Sequence, residues 1–411
     1  MRTSLFISAA LALTALTAVT TAPASAKDKP PAAPAEKINE KLIPLLVAAQ
    51  EANGKKDYAT ALSKLEGADA LAASPYEKFV TSQMRAIAAQ GTKNTPLLLK
   101  NVEAAADSGY TGVGVSVMAI NAGQLEYEAK DYVKAIQHLQ QAQQLGNADP
   151  QIPLMIGDAY IRSKQTATAL TFFEKMYNDD IAAKRTTSLG AMELIAQAAL
   201  DANMVPDAIK WLSRRAAAYP TVATWHDLLS IYHDRHPQLN AQSQLDLYRL
   251  MKATKSFKLS GEINEYAEIA LEKRGLPGEA KAAYDYGSAA GVITKMTLSM
   301  TENKALATTR ATKEHDALPT YEKQSAAAPN GRVARGTADT AFSFDQYAKA
   351  IELYKLAASK GGVEPRVTSM GIGESYALLG DKVNAHAALA AVTGESADIA
   401  GFWLTWVDQV K

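Results

Sequence analysis

The chain has 411 residues, 43 basic and 43 acidic, with 47% apolar and 7% aromatic side chains and no cysteine. Zero net charge without a basic stripe removes the electrostatic footprint of a nucleic-acid binder and gives no reason for adsorption to anionic lipid. The missing cysteine excludes disulfides, thiolate metal sites and cysteine nucleophiles, and leaves no residue for a lipid anchor after a signal sequence.

In chain order, residues 1–26 read as an export signal. Arg2 supplies a positive start, Leu5 to Val19 a short apolar run, and Ala24-Ser25-Ala26 an A-x-A cleavage site, so the mature chain is expected to begin at Lys27. No later stretch is long and apolar enough to span a bilayer. The expected location is the periplasm, with secretion as the alternative. Residues 27–37, KDKPPAAPAEK, form a Pro/Ala-rich tether whose prolines favour extended chain.

Residues 38–392 read as a helical repeat array. Ile43, Leu46 and Val47 share one helix face, Tyr58, Ala61, Leu62 and Leu65 another, and Asn53-Gly54 separates them. Downstream the same plan recurs, with Pro75, Pro150, Pro220, Pro329 and Pro365 near unit ends, where proline is tolerated. No period-2 alternation appears, so no strands are expected.

An alanine followed four residues later by a bulky apolar residue recurs about every 36 residues. The copies are Ala61/Leu65, Ala135/Leu139, Ala169/Phe173, Ala208/Leu212, Ala241/Leu245, Ala280/Tyr284, Ala317/Tyr321, Ala350/Tyr354 and Ala385/Leu389, with a degenerate copy expected near Leu98/Val102. Such a unit cannot bury its apolar face alone, so about ten helix pairs stack on one another. The alanine should let the two helices of a pair approach, and the large residue should fill the gap against the next unit. Two regions depart: 76–116, with a loop at Gly109–Gly114, and 287–316, rich in Thr and Met, where a hinge and an ordinary divergent unit both stay open. Residues 393–411 read as a final helix with Ile399, Phe402, Trp403, Trp406 and Val407 on one side. It serves either to cap the terminal face of the array or as an exposed docking face.

Ile156-Gly157-x2-Tyr160 followed by Ala169-x3-Phe173, Ile372-Gly373-x2-Tyr376 followed by Ala385-x3-Leu389, and Trp225-x2-Leu228, Tyr232 and Ala241-x3-Leu245 resemble the tetratricopeptide (TPR) repeat. The resemblance implies an all-α, right-handed superhelix (α-solenoid) that holds ligands on its concave face, along the first helices of its units. Carried onto this sequence, that face comprises Asp158, Ile161 and Arg162; His226, Ser230 and His233; Met370 and Glu374. In weaker units it comprises Glu193 and Gln197; Glu262 and Glu265; Arg332 and Arg335. The Lys/Asn pattern with which some family members clamp a C-terminal carboxylate is not visible.

Templates for chemistry fail. His226 and His233 share a helix face but stand ~10 Å apart along it, too far for one ion, leaving only His233 and His236 close enough. There is no H-E-x-x-H, Walker A or full G-x-G-x-x-G. Gly373-Glu374-Ser375-Tyr376-Ala377 lacks the last glycine of a nucleophile elbow. Its Glu374-Ser375 resembles the start of a lytic transglycosylase motif, but nothing downstream matches. No catalytic residue, metal or cofactor is assigned. The chain reads as a non-enzymatic scaffold for a protein or peptide of the cell envelope. The alternatives are an envelope enzyme or enzyme subunit acting on glycan or peptide, and an assembly factor oligomerising through its terminal faces.

Overall fold

The computed structural model describes residues 36–410. The expected signal segment and all but the last two residues of the tether lie outside the described residues. Among the described residues there are 21 α-helices and no strand, so the all-α expectation holds. The chain divides into two compact units at Asp179/Asp180.

The first unit runs through α1 (Ile43–Gly54), α2 (Tyr58–Lys64), α3 (Ala68–Leu71), α4 (Pro75–Gly91), α5 (Thr95–Ala106), α6 (Val115–Glu128), α7 (Tyr132–Gln144), α8 (Gln151–Arg162) and most of α9 (Thr166–Ala182). Its successive helices pack as antiparallel neighbours joined by tight turns, and the turns explain why. Lys56, Lys93, Lys130 and Lys164 each adopt a left-handed conformation. The following amides, of Asp57, Asn94, Asp131 and Gln165, reach back to the carbonyls of Ala52, Ala89, Glu126 and Tyr160. That bond is the Schellman closure of a helix C-terminus. Asp57, Asn94 and Asp131 then cap the next helix, accepting from Thr60, Leu97 and Lys134. The three caps are evenly spaced along the chain, which places the degenerate unit: Leu98 stands four residues after its cap, as Ala61 and Ala135 do after theirs.

Within a pair, the large residue of the Ala-x3-bulky motif packs over a glycine of the first helix. A Cβ on Gly157 would overlap the Phe173 ring, and one on Gly373 would overlap Leu389. In these copies the bulky residue fills a notch inside its own pair, whereas Tyr354 lies against Gly371 in the first helix of the next pair, as the sequence led one to expect. One core, from Leu42 to Ala159, runs through the first unit.

The second unit follows the same plan with α10 (Leu189–Asp201), α11 (Val205–Ala218), α12 (Val222–Arg235), α13 (Ala241–Ala253), α14 (Ser260–Glu268, extended by a π turn Ile269–Lys273) and α15 (Pro277–Ala289). It then departs. α16 (Leu298–Ala327) is a single helix of 30 residues with Pro319 inside it. Its buried residues, Met300, Ala307, Ala311, Leu318 and Ser325, form a narrow stripe. Region 287–316 is thus not an ordinary pair: it ends α15 and begins this extra helix. The Ala317/Tyr321 motif falls in the middle of α16, half-buried, and marks no helix pair.

After α16 come α17 (Arg332–Ser343), α18 (Tyr347–Lys360), α19 (Pro365–Leu378), α20 (Lys382–Leu389), a 3-10 turn Gly394–Ser396 and α21 (Ala397–Gln409). These helices close on α13. Ser243, Leu245, Asp246, Leu247, Tyr248, Arg249, Leu250 and Met251 are all buried, so α13 is enclosed on every side. α21 packs on α20, but also on α11, α13 and α19. The Trp403 indole donates to the Asp246 carbonyl (3.0 Å), and the Gln409 amide to that of Ala216 (2.9 Å). Ile399, Phe402, Trp403 and Val407 are buried within the chain. The docking-face alternative for this helix, and assembly through it, therefore lose their surface.

Candidate partner-binding faces and a buried arginine

The candidate residues of the first unit sit on α8. Asp158 accepts the Tyr127 hydroxyl from α6 and the Arg162 Nε (2.6 Å). The Arg162 guanidinium lies 5.6 Å from the centre of the Tyr127 ring, a cation–π contact. Bonding to Asp158 raises the Arg162 pKa further above its ordinary value. The Tyr127 ring meets Tyr132 edge-on at 5.6 Å, while Tyr160 packs on Phe172 at 6.0 Å. Arg162 remains 54% exposed, and Ile161, Tyr127, Tyr132 and Tyr160 are half-buried. The result is a tyrosine- and arginine-bearing patch whose side chains are held in place by one another, the composition that interface cores favour.

In the second unit the structure joins four of the candidates into two rungs between α12 and α14. His226 Nε2 lies 2.9 Å from Glu262, and His233 Nε2 lies 3.3 Å from Glu265. The two-turn spacing that keeps the histidines from sharing an ion gives each its own carboxylate instead. Bonding to Glu265 raises the His233 pKa, and the same bond lowers that of Glu265. The Tyr248 hydroxyl stands 3.4 Å from His233. Glu262 also accepts the Lys258 and Leu259 amides at the start of α14, both at 3.0 Å. Ser230 is half-buried on α12. On α10, Gln197 donates to Asp201 (2.7 Å), and Glu193 lies 3.9 Å from Arg215, which binds Asp227 at 2.7 Å. Among the described residues no group of three His, Asp or Glu side chains converges as a metal site would require.

The remaining candidates need correction. Met370 and Glu374 are 2% and 0% exposed, because α19 turns that side toward α13 rather than toward solvent. Arg335 is half-buried, donating to Gln242 (2.7 Å) with Asp339 at 3.1 Å. Only Arg332 of that group stays exposed, its Nε 3.4 Å from the Gly362 carbonyl.

Glu374 belongs instead to a buried network. Arg249 forks onto Glu279 (2.7 and 2.8 Å) and reaches Glu374 (3.0 Å) and Asp246 (3.4 Å), with its guanidinium 4.1 Å from the Phe342 ring centre. Three carboxyl groups thus converge on one cation away from water. Burial pushes Asp246 up to about 6 and raises Glu374 well above the carboxylate range, the neighbouring Asp246 adding to it. Burial acts on Glu279 in the same sense, but the Arg249 charge and bonds outweigh it and leave the pKa lowered. Sequence reasoning missed Arg249. No local signal marked it: Gln242, Asp246 and Arg249 stand at i, i+4 and i+7 on one side of α13 and read as a solvated face, yet Asp246 and Arg249 are buried.

The helix pairs, their glycine notches and their turns make this a TPR-like helical repeat protein. No family model matches the sequence, and no curated protein matches it. Solved structures of similar arrangement include the C-terminal part of a TPR repeat-containing protein from Cytophaga hutchinsonii, at 14% identity over 63% of this chain and 98% of that one, TM-score 0.34. Yeast Tom70 is similar at 11% identity over 90% and 88%, TM-score 0.25. Likeness at these values carries no functional argument, and the class rests on the helix pairs themselves.

Proposed function

We propose that the chain is an exported interaction scaffold of the periplasm that holds a protein or peptide segment on the first helices of its repeats. The observation that carries this reading is the patch on α6 and α8, where Tyr127, Ile161 and Arg162 remain accessible and Asp158 presets Tyr127 and Arg162. Groups fixed before binding lose little entropy on association, so modest contacts summed along helices suffice for recognition. No helix among the described residues is long and apolar enough to cross a membrane. The A-x-A site before Lys27 supports export.

Crosslinked capture from envelope extract, comparing the wild-type chain with Arg162→Glu and Tyr127→Ala, tests the face. Loss of one and the same partner in both variants, with helical circular dichroism unchanged, is the expected result. Undiminished capture removes the patch from consideration. Export is tested separately by N-terminal sequencing of the protein in the osmotic-shock fraction: a chain starting at Lys27 is expected, and one retained in the cytosol with Met1 intact overturns the location.

A further inference from the structure

Beside Arg249 the second unit forms a half-open pocket of about 180 Å³. Four rings wall it, those of Tyr266, Tyr286, Phe342 and Tyr347. They are backed from outside the cavity: Phe257 stacks on Tyr266 at 6.1 Å and meets Tyr286 at 5.9 Å. We propose that this cavity is a binding site for a small monocyclic aromatic carboxylate.

Size comes first. An apolar void of ~150 Å³ accepts benzene, so this cavity holds one ring with a short polar substituent. The polarity of that substituent follows from which wall groups are already used. Both acidic groups are committed: Glu279 holds Arg249 and accepts the Tyr266 hydroxyl (2.8 Å), and Asp345 accepts the Tyr347 hydroxyl. Ser343 donates to the Thr340 carbonyl (2.8 Å). Two donors on the wall, the Lys252 ammonium and the Tyr286 hydroxyl, make no hydrogen bond or ion pair among the described residues. Burial disfavours ionisation of Tyr286, which keeps it a donor. A ligand must therefore bring acceptors. A cation is disfavoured because Arg249 already occupies the Phe342 face. A carboxylate on a ring meets the ammonium and the phenol while its apolar body fills the space between the aromatic walls.

The probes are benzoate, benzamide and benzylammonium, titrated calorimetrically and by thermal shift against the full-length mature protein. Saturable one-site binding of benzoate is expected, with benzamide ~10-fold weaker, since a charged hydrogen bond exceeds a neutral one by about that factor. Lys252→Met, which keeps the aliphatic stem, should weaken benzoate ~10-fold and benzamide less, and Tyr286→Phe should weaken benzoate less than Lys252→Met does. Absence of saturable benzoate binding, benzylammonium binding as tightly as benzoate, or unaltered benzoate affinity in Lys252→Met overturns the assignment. The ranking of the three probes on the unmutated chain decides the matter even where a variant folds poorly.

Discussion

The two units use the same turns and the same helix pairs, yet they bury their side chains differently. In the first, side-chain bonds join near neighbours in sequence, as from Asn39 to Glu77 or from Gln141 to Ala106. In the second, Gln409 bonds Ala216, Trp403 bonds Asp246 and Arg249 bonds Glu374, partners separated by more than a hundred residues. The first is a stack of local contacts, stabilised unit by unit. The second has a central helix, α13, and stands or falls as a whole. Repeat grammar fixes how a helix pair is made. Whether an array stays open is decided by helices that break the grammar, here α13 with its buried Asp246 and Arg249 and α21 with its tryptophans.

The sharpest way to break this comparison is to remove the charge at the centre of the second unit. Arg249→Ala leaves Glu279, Glu374 and Asp246 facing one another without their cation, and should cost ~3–5 kcal/mol. Calorimetry should show the second unit melting early while the helical signal of the first persists. A single transition at the wild-type temperature would refute the closed arrangement.

Trp403→Ala comes next, at about 3 kcal/mol, through the cavity left in α21 and the loss of the bond to Asp246. Its counterpart in the first unit, Leu139→Ala, should cost about 2–3 kcal/mol but loosen only adjacent helices, since Leu139 packs over Gly123 of its own pair. Hydrogen exchange checks the contrast: protection lost throughout the second unit for Trp403→Ala, and only around α6–α8 for Leu139→Ala.

The pH dependence is smaller and distinguishes ionic closure from apolar closure. Asp246 has a folded pKa of about 6, above that of an unfolded aspartate, and Glu374 is raised in the same direction. Their contribution is present below the unfolded carboxylate pKa and is lost as pH rises through the folded value. The second unit should therefore melt at a lower temperature at pH 7 than at pH 5, and Asp246→Asn should flatten that fall. His233, also raised, adds a weaker term of the same sign, present below its unfolded pKa and lost as pH rises through the folded one. His233→Gln should cost under about 1 kcal/mol, and chiefly on the acid side, as urea titrations at two pH values would show.

Much of the pair architecture was legible because it is local. Ala61/Leu65, Ala135/Leu139, Ala169/Phe173, Ala208/Leu212, Ala280/Tyr284, Ala350/Tyr354 and Ala385/Leu389 are all buried. A small residue beside a large one on a helix face reads directly as close packing. Ala317/Tyr321 misled because the same spacing occurs by composition in an alanine-rich helix that is half exposed. The candidate face was legible only in part. His226 and His233 could be placed on one face, but not their carboxylates on α14, since contacts between units depend on rotations that the spacing alone does not set. The burial of Met370 and Glu374 was invisible for a stronger reason. It depends on a helix more than a hundred residues earlier in the chain, and no local pattern around Ile372-Gly373 encodes that partner.

The placement of α21 bears on how the molecule is made. A polypeptide emerging in order can complete the first unit turn by turn, since each helix finds its partner as it appears. The second unit cannot: Trp225, Tyr232 and Asp246 must wait for Gln409, Asp398 and Trp403, which follow 184, 166 and 157 residues later. Until then a broad apolar surface stands uncovered, and the nascent half stays a client for holding factors rather than a finished body.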